Sequence, residues 1–213
     1  MSTSATPTNP AFTNSSDPSS PAHYPASQTA LLLLDFHAFF VTHAGGPTTS
    51  AACATAASLR QWARSKSVPV VHCLIDVTQT PYETCKDAAR LQSAIDAAVA
   101  ADAAAEPAEL TSGKDDAEDA TFLRRPGYVS ALKSPGLEAW LRKKGVKNLL
   151  LAGLSTSGCV LRTAVTASDA EFVVSVVADG CADPGEGVHE FVLAKLLNRG
   201  WVVSAEEVMR EVK

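Results

Sequence analysis

The chain has 213 residues, 46% of them apolar, with a formal net charge of −5. That length suits one substantial domain, and scattered lysines and arginines in a mildly acidic chain argue against nucleic-acid or anionic-membrane partners, which want a basic patch. No apolar stretch approaches the roughly 20 residues of a membrane span, and the five cysteines include no C-x-x-C pair, so a reducing compartment is expected rather than a disulfide framework.

Residues 1–27 are rich in Ser, Thr, Pro and Ala, a composition that predicts a disordered tail. They hold no lysine or arginine and no apolar core of a secretory signal, so a cytoplasmic protein is expected. The domain then runs over residues 28–213. "TALLLLDF", from Thr29, is a continuous apolar run ending in an acid, the pattern of a strand buried on both faces. After a Gly-Gly-Pro break, residues 48–67 predict a helix on the spacing of Leu59, Trp62 and Ala63. "VPVVHCLI" predicts a second buried strand. Residues 87–105, dominated by alanine, predict a helix with a weak apolar stripe.

"EPAELTSGKDDAEDAT" reads as a solvated acidic loop, and "TFLRRP" as a short strand. A helix near 135–144 follows, its final Arg142, Lys143 and Lys144 suited to the negative end of the helix dipole. Next come a strand "VKNLLLAG", a helix over 159–172, a strand "FVVSVVADG", a helix near 187–199, a strand "WVVS" and a last helix from Ala205. Strands alternating with helices predict an α/β domain whose parallel sheet is covered on both sides. Ligands in such folds bind outside the carboxyl ends of the strands.

Three strand ends carry groups with chemistry. Cys159 follows "LLLAGLSTSG" at a helix start, where a thiol pKa can be lowered and the sulfur made nucleophilic; a packed, inert cysteine is the plain alternative. Asp35 ends the first strand as an acid or base, or simply as a turn residue. Arg124 and Arg125 form either a solvated pair or a cation facing the cleft. A rival set, Ser155 with Asp179 or Asp183 and His189, has the chain order of α/β-hydrolases, but "GLSTS" lacks the second glycine of G-x-S-x-G. His37 and His43 near Asp35, and His72 with Asp76, lack any metal-ligand spacing. No metal or cofactor is expected.

The order "LLLLDFHAFF", "RRPGYVSALKSPGLEAWLRKKGVKNLLLAGLSTSGCVLRTAVTASDAEFVVSVVADGCADP" and "HEFVLAKLL" resembles the isochorismatase-like cysteine hydrolases, which include nicotinamidases, N-carbamoylsarcosine amidases and isochorismatases. The most specific part is G-x-x-T-x-x-C-V, matched by Gly153, Thr156, Cys159 and Val160. The resemblance implies a three-layer α/β/α domain with a mostly parallel sheet of about six strands, and an Asp–Lys–Cys triad in which Asp35 is the acid and Cys159 the nucleophile. It also implies a cis peptide at Leu154–Ser155, aiming the Ser155 and Cys159 N–H groups at a developing oxyanion.

The family's lysine has no match in "FLRRPGYVSAL"; Arg125 takes its place, or Arg124 if the gap lies elsewhere. Arginine keeps the charge that would depress the Cys159 pKa but does not readily exchange a proton. The metal-binding histidines of the nicotinamidase branch are not matched either. The implied activity is hydrolysis of an amide or other C–N bond in a small carbonyl compound through a thioester, with Phe36, Phe40 and Tyr128 as candidates for the pocket wall or for plain core. The alternatives are vinyl-ether hydrolysis, which needs no cysteine nucleophile, and an inactive relative that binds a metabolite or protein. By analogy with the family, a homo-oligomer, dimer or tetramer, is expected.

Overall fold

Four consecutive leucines organise the molecule. In a strand, successive side chains point to opposite faces, and all six residues of β1 (Thr29–Leu34) are buried. Leu31 and Leu33 pack with Ala52, Ala56 and Leu59 of α1 (Thr49–Ser65), and with Val208 of α7 (Ala205–Glu211). Leu32 and Leu34 pack on the other face with Leu141 of α4 (Leu137–Lys143) and Ala164 of α5 (Leu161–Asp169). One apolar run therefore supplies both halves of the core, and the three-layer α/β/α architecture follows. This is a computed structural model, which describes residues 14–44, 46–114, 119–197 and 201–212.

The remaining strands are β2 (Val70–Ile75), β3 (Asp119–Arg124), β4 (Asn148–Leu154), β5 (Val173–Ala182) and β6 (Trp201–Val203). They form one six-stranded sheet in the order β3-β2-β1-β4-β5-β6, with every pairing parallel. The chain winds outward from β1 through β2 to β3, then returns to place β4 on the opposite side of β1. The carboxyl ends of β1 and β4 thus flank the point where the winding reverses, the usual ligand crevice of open α/β sheets. Gly153 pairs with Leu34 there, and a Cβ on Gly153 would lie 2.6 Å from the Leu34 carbonyl oxygen. Only glycine lets the two strand ends close up.

Several expectations are corrected. Within residues 1–27, the part from Asn14 onward is ordered. It forms the turns Pro21–His23 and Ala26–Gln28, buries Ser20 and Pro21, and has Tyr24 Oη donating to the Pro18 carbonyl at 2.7 Å. Residues 1–13 lie outside the described residues. The acidic stretch is not simply solvated: α3 (Ala108–Thr111) buries Leu110, and Glu106 sits 2.8 Å from the His72 ring. Asp119 is fully buried, 2.6 Å from Arg60. The predicted helix over 87–105 is α2 (Ala88–Ala100). The helix near 187–199 is α6 (Val188–Phe191) followed by a wide turn, Val192–Leu196, while Arg199 lies outside the described residues. Among the described residues no helix is long and apolar enough to cross a membrane.

Candidate active site

Asp35 leaves β1 with its N–H still donating to the Cys73 carbonyl at 2.9 Å, and with φ at 56°. This left-handed conformation is uncommon outside glycine, but aspartate tolerates it better than most residues. Arg124 ends β3, the outermost strand on that side, and its side chain reaches across β2 to the end of β1. Nη1 donates to Asp35 Oδ1 at 2.8 Å and Nη2 to Oδ2 at 2.5 Å, a bidentate pair. Nε donates to the Tyr128 carbonyl at 2.8 Å, and Nη2 also lies 3.5 Å from Cys159 Sγ. All three side chains are nearly buried, Asp35 being 5%, Arg124 2% and Cys159 4% exposed.

Arg125 does not take this place. It is exposed and donates to the Thr80 and Pro81 carbonyls at 3.0 and 3.3 Å. The reason is the alternation of side chains along an extended chain: with Arg124 turned into the site, its neighbour turns out.

Cys159 stands in a wide turn, Thr156–Val160, that joins β4 to α5. The Leu154–Ser155 peptide before it is cis. Asp183, at the end of β5, holds the turn: Oδ2 accepts the Ser157 N–H at 2.8 Å and Oδ1 accepts the Gly185 N–H at 3.1 Å. A Thr156–His189 hydrogen bond of 2.8 Å ties the turn to α6.

The electrostatics correct another expectation. Burial pushes the Cys159 thiol up to about 12, against the pull of the Arg124 guanidinium and helped by the Asp35 carboxylate. Burial thus favours the neutral thiol, the opposite direction to the lowering that a helix start and a nearby cation suggest. For Arg124, burial works against the charge, but attraction to the Asp35 carboxylate and its hydrogen bonds outweigh it and hold the pKa above the usual arginine value.

A cavity of about 460 Å³ opens over these groups and is lined by Asp35, Arg124, Ser155 and Cys159, with Phe40 and Tyr128 on its wall. Phe36, the third aromatic candidate, is wholly buried in the core on the α1 side, away from the cavity. Lys86, Asp87 and Arg90, which the sequence did not single out, also line the cavity. All three are solvent-exposed.

The serine-centred rival does not assemble. His189 is bonded to Thr156, and Asp179 accepts the Ala205 N–H at 2.9 Å. Asp183 accepts the backbone N–H groups of Ser157 and Gly185. Nor do the histidines converge. His37 bonds the Ala104 carbonyl through Nδ1 at 2.6 Å and Nε2 accepts the Ile75 N–H at 3.2 Å, so the ring ties a loop to the end of β2. Exposed His43 bonds its neighbour Thr42. Among the described residues no cluster of three His, Cys, Asp or Glu could hold a metal.

One further group went unnoticed in the sequence. Thr163 Oγ1 lies 3.7 Å from Cys159 Sγ. Its position four residues on, one helical turn from the cysteine, is the signal that could have found it.

A doubly wound parallel sheet with an acid, a guanidinium and a cysteine gathered at its switch point defines a cysteine-centred α/β domain. The isochorismatase domain family matches residues 29–207, and the chain belongs to that family, a family of hydrolases. It is similar to maleamate amidohydrolase of Pseudomonas putida, 33% identical over 87 residues that cover 40% of this chain and 41% of that protein. The match thus spans about two fifths of that relative's length.

Among solved structures, an isochorismatase family protein from Burkholderia thailandensis aligns with a TM-score of 0.68 at 21% identity, over 87% of this chain and 96% of that one. N-carbamoylsarcosine amidase from Thermoplasma acidophilum aligns with a TM-score of 0.63 at 17% identity, over 84% and 97%. These structural likenesses show the shared fold.

Proposed function

We propose that the protein hydrolyses a small amide, or a related C–N bond, through a thioester on Cys159. The observation that carries this reading is the Arg124 guanidinium, which bridges the Asp35 carboxylate and the Cys159 sulfur. Because burial favours the neutral thiol, its proton leaves as the sulfur attacks. The S–H bond breaks, the proton passes to Asp35, and the sulfur electron pair forms the bond to the carbonyl carbon. Backbone N–H groups of Ser155 and Cys159 receive the oxyanion, a contribution of about 3–4 kcal/mol per donor in such sites. Asp35 then gives the proton to the departing nitrogen, and the C–N bond breaks to leave the thioester. Water, deprotonated by Asp35, attacks that thioester and releases the acid and the free thiol. Arg124 stays protonated throughout, so the arginine substitution suits a mechanism in which this cation orients and stabilises without moving a proton.

Lys86 and Arg90 favour a substrate that carries a carboxylate. Neither has an ion-pair partner among the described residues, and with Asp87 between them the mouth carries one net positive charge. The name of the Pseudomonas putida relative points the same way, since maleamate is an amide with a free carboxylate.

The test is a panel of small amides that includes maleamate and its uncharged counterparts, with intact-mass detection of an acyl adduct. Turnover with an adduct on Cys159, abolished in Cys159→Ala, is expected. Amide turnover that survives in Cys159→Ala overturns covalent catalysis; turnover of a vinyl ether added to the panel, with every amide untouched, favours the vinyl-ether reading, and no turnover of either class favours a binding protein.

A further inference from the structure

We propose that Thr163 is a further catalytic residue, whose hydroxyl donates a hydrogen bond to the Cys159 sulfur as that sulfur loses its proton. The proposal rests on the reading of Cys159 as the nucleophile. Its starting point is a difference among the hydroxyls of α5. A serine or threonine inside a helix commonly donates to the carbonyl four residues back, and two here do so: Thr166 to Arg162 and Ser168 to Ala164, each at 2.9 Å. Thr163 does not follow them. Its oxygen accepts the Ala131 N–H at 2.9 Å and lies 3.7 Å from Cys159 Sγ, with the residue fully buried.

A hydroxyl has a single proton to donate and two lone pairs to accept with. The Ala131 N–H occupies one lone pair and does not compete for the proton, which is left for the sulfur. Ala131 is itself fixed to the same helix, because the neighbouring Ser130 hydroxyl is 2.6 Å from Thr166 Oγ1 and accepts the Leu132 N–H at 3.3 Å. The donor is therefore oriented before the reaction begins.

In the resting site Arg124 Nη2 and the Thr163 hydroxyl are both within reach of the Cys159 sulfur, at 3.5 and 3.7 Å. As the S–H bond breaks and the proton passes to the Asp35 carboxylate, negative charge builds on sulfur until its electron pair is shared with the carbonyl carbon. Thr163 keeps its own proton throughout. Hydrogen bonds to an ionised acceptor are stronger than those to a neutral one, so this contact tightens as charge develops on sulfur and lowers the barrier rather than merely binding the ground state.

The test is the rate of iodoacetamide alkylation at Cys159 across a pH series, read by peptide mapping in wild type, Thr163→Val and Thr163→Ser. Half-buried Cys85 in the same protein serves as the reference thiol. Thr163→Val is expected to slow Cys159 alkylation about tenfold below the thiol pKa, the scale of one hydrogen bond to a charged group, with Cys85 unaffected. Thr163→Ser keeps the hydroxyl and restores the rate. A purely structural loosening would open the site and speed alkylation instead.

Alkylation in Thr163→Val at or above the wild-type rate overturns the proposal and leaves the nucleophile reading standing. A wild-type Cys159 that stays unreactive at every pH while Cys85 reacts overturns both. If Thr163→Val does not unfold cooperatively, Thr163→Ala, which suits a helix interior, gives the same comparison.

Discussion

At Arg124 the planar fork reaches three partners at once: the Asp35 carboxylate, the Tyr128 carbonyl and the Cys159 sulfur. A lysine would bring a compact charge to Asp35 and Cys159, but could not also match the fork on the carbonyl. Arg124→Lys is therefore expected to keep kcat/KM within about tenfold of wild type. Arg124→Met leaves Asp35 buried without its counter-charge, a loss of about 3–5 kcal/mol in stability, with turnover abolished.

The neighbouring Arg125→Ala removes two surface contacts and should shift stability by no more than about 0.5 kcal/mol, with kcat unchanged. Urea unfolding and steady-state kinetics on the three variants check this. A large loss of kcat in Arg125→Ala, with Arg124→Met active, would reverse the assignment. The sequence showed that a cation belonged near "FLRRP" but not which one. Side-chain alternation decides between adjacent residues only once the strand's register is known, and β3 hides its register by starting at an acid. Asp119 reads as part of a solvated loop until Arg60 is seen beside it.

The site is made by the way two strands end together. β1 and β4 were legible as apolar runs, and so were their terminal groups, because a strand buried on both faces reads as a near-continuous apolar stretch up to the point where it emerges. The turn that presents Cys159 was less legible. The sequence reads as a helix from Cys159, whereas the regular helix begins at Leu161 after a turn held by Asp183 and His189. Those partners come from distant parts of the chain, and local spacing does not report them.

Gly153 is the element-scale test. Its missing Cβ lets β4 lie against Leu34, next to Asp35 in the chain. Gly153→Ala forces a carbon against backbone that cannot rotate away, and overpacking of this kind costs about 1–3 kcal/mol. The strands can relieve it only by moving apart, which separates Asp35 from Cys159. A lowered urea midpoint together with a kcat loss larger than that of Arg125→Ala is expected; unchanged turnover would show that the spacing of the strand ends tolerates such a shift.

For the molecule as a whole, the double-sided core places four thiols, those of Cys53, Cys73, Cys159 and Cys181, out of water. Burial raises Cys53 to about 11, Cys159 and Cys181 to about 12 each, and Cys73 well above the usual thiol value. In the unfolded chain the same thiols ionise from about pH 8.5. Above that pH the unfolded state binds fewer protons than the folded one, so folding stability falls as pH rises. The loss continues until the folded thiols themselves ionise, near pH 12 for Cys159 and Cys181. Below pH 8.5 both states hold these protons and the thiols contribute no slope. Each buried thiol adds up to about 1.4 kcal/mol of lost stability per pH unit within the window.

Urea midpoints measured between about pH 8 and pH 10 should therefore drop steeply, and replacing Cys181 with alanine should make the drop shallower even if it lowers the starting stability. Cys85→Ser should leave the slope as it was, because Cys85 is not buried with the others. A flat profile would mean that the thiols ionise in place without unfolding the chain. Cys159 would then exist as a thiolate at alkaline pH before any substrate arrives, and the coupling of its proton loss to attack would be unnecessary there.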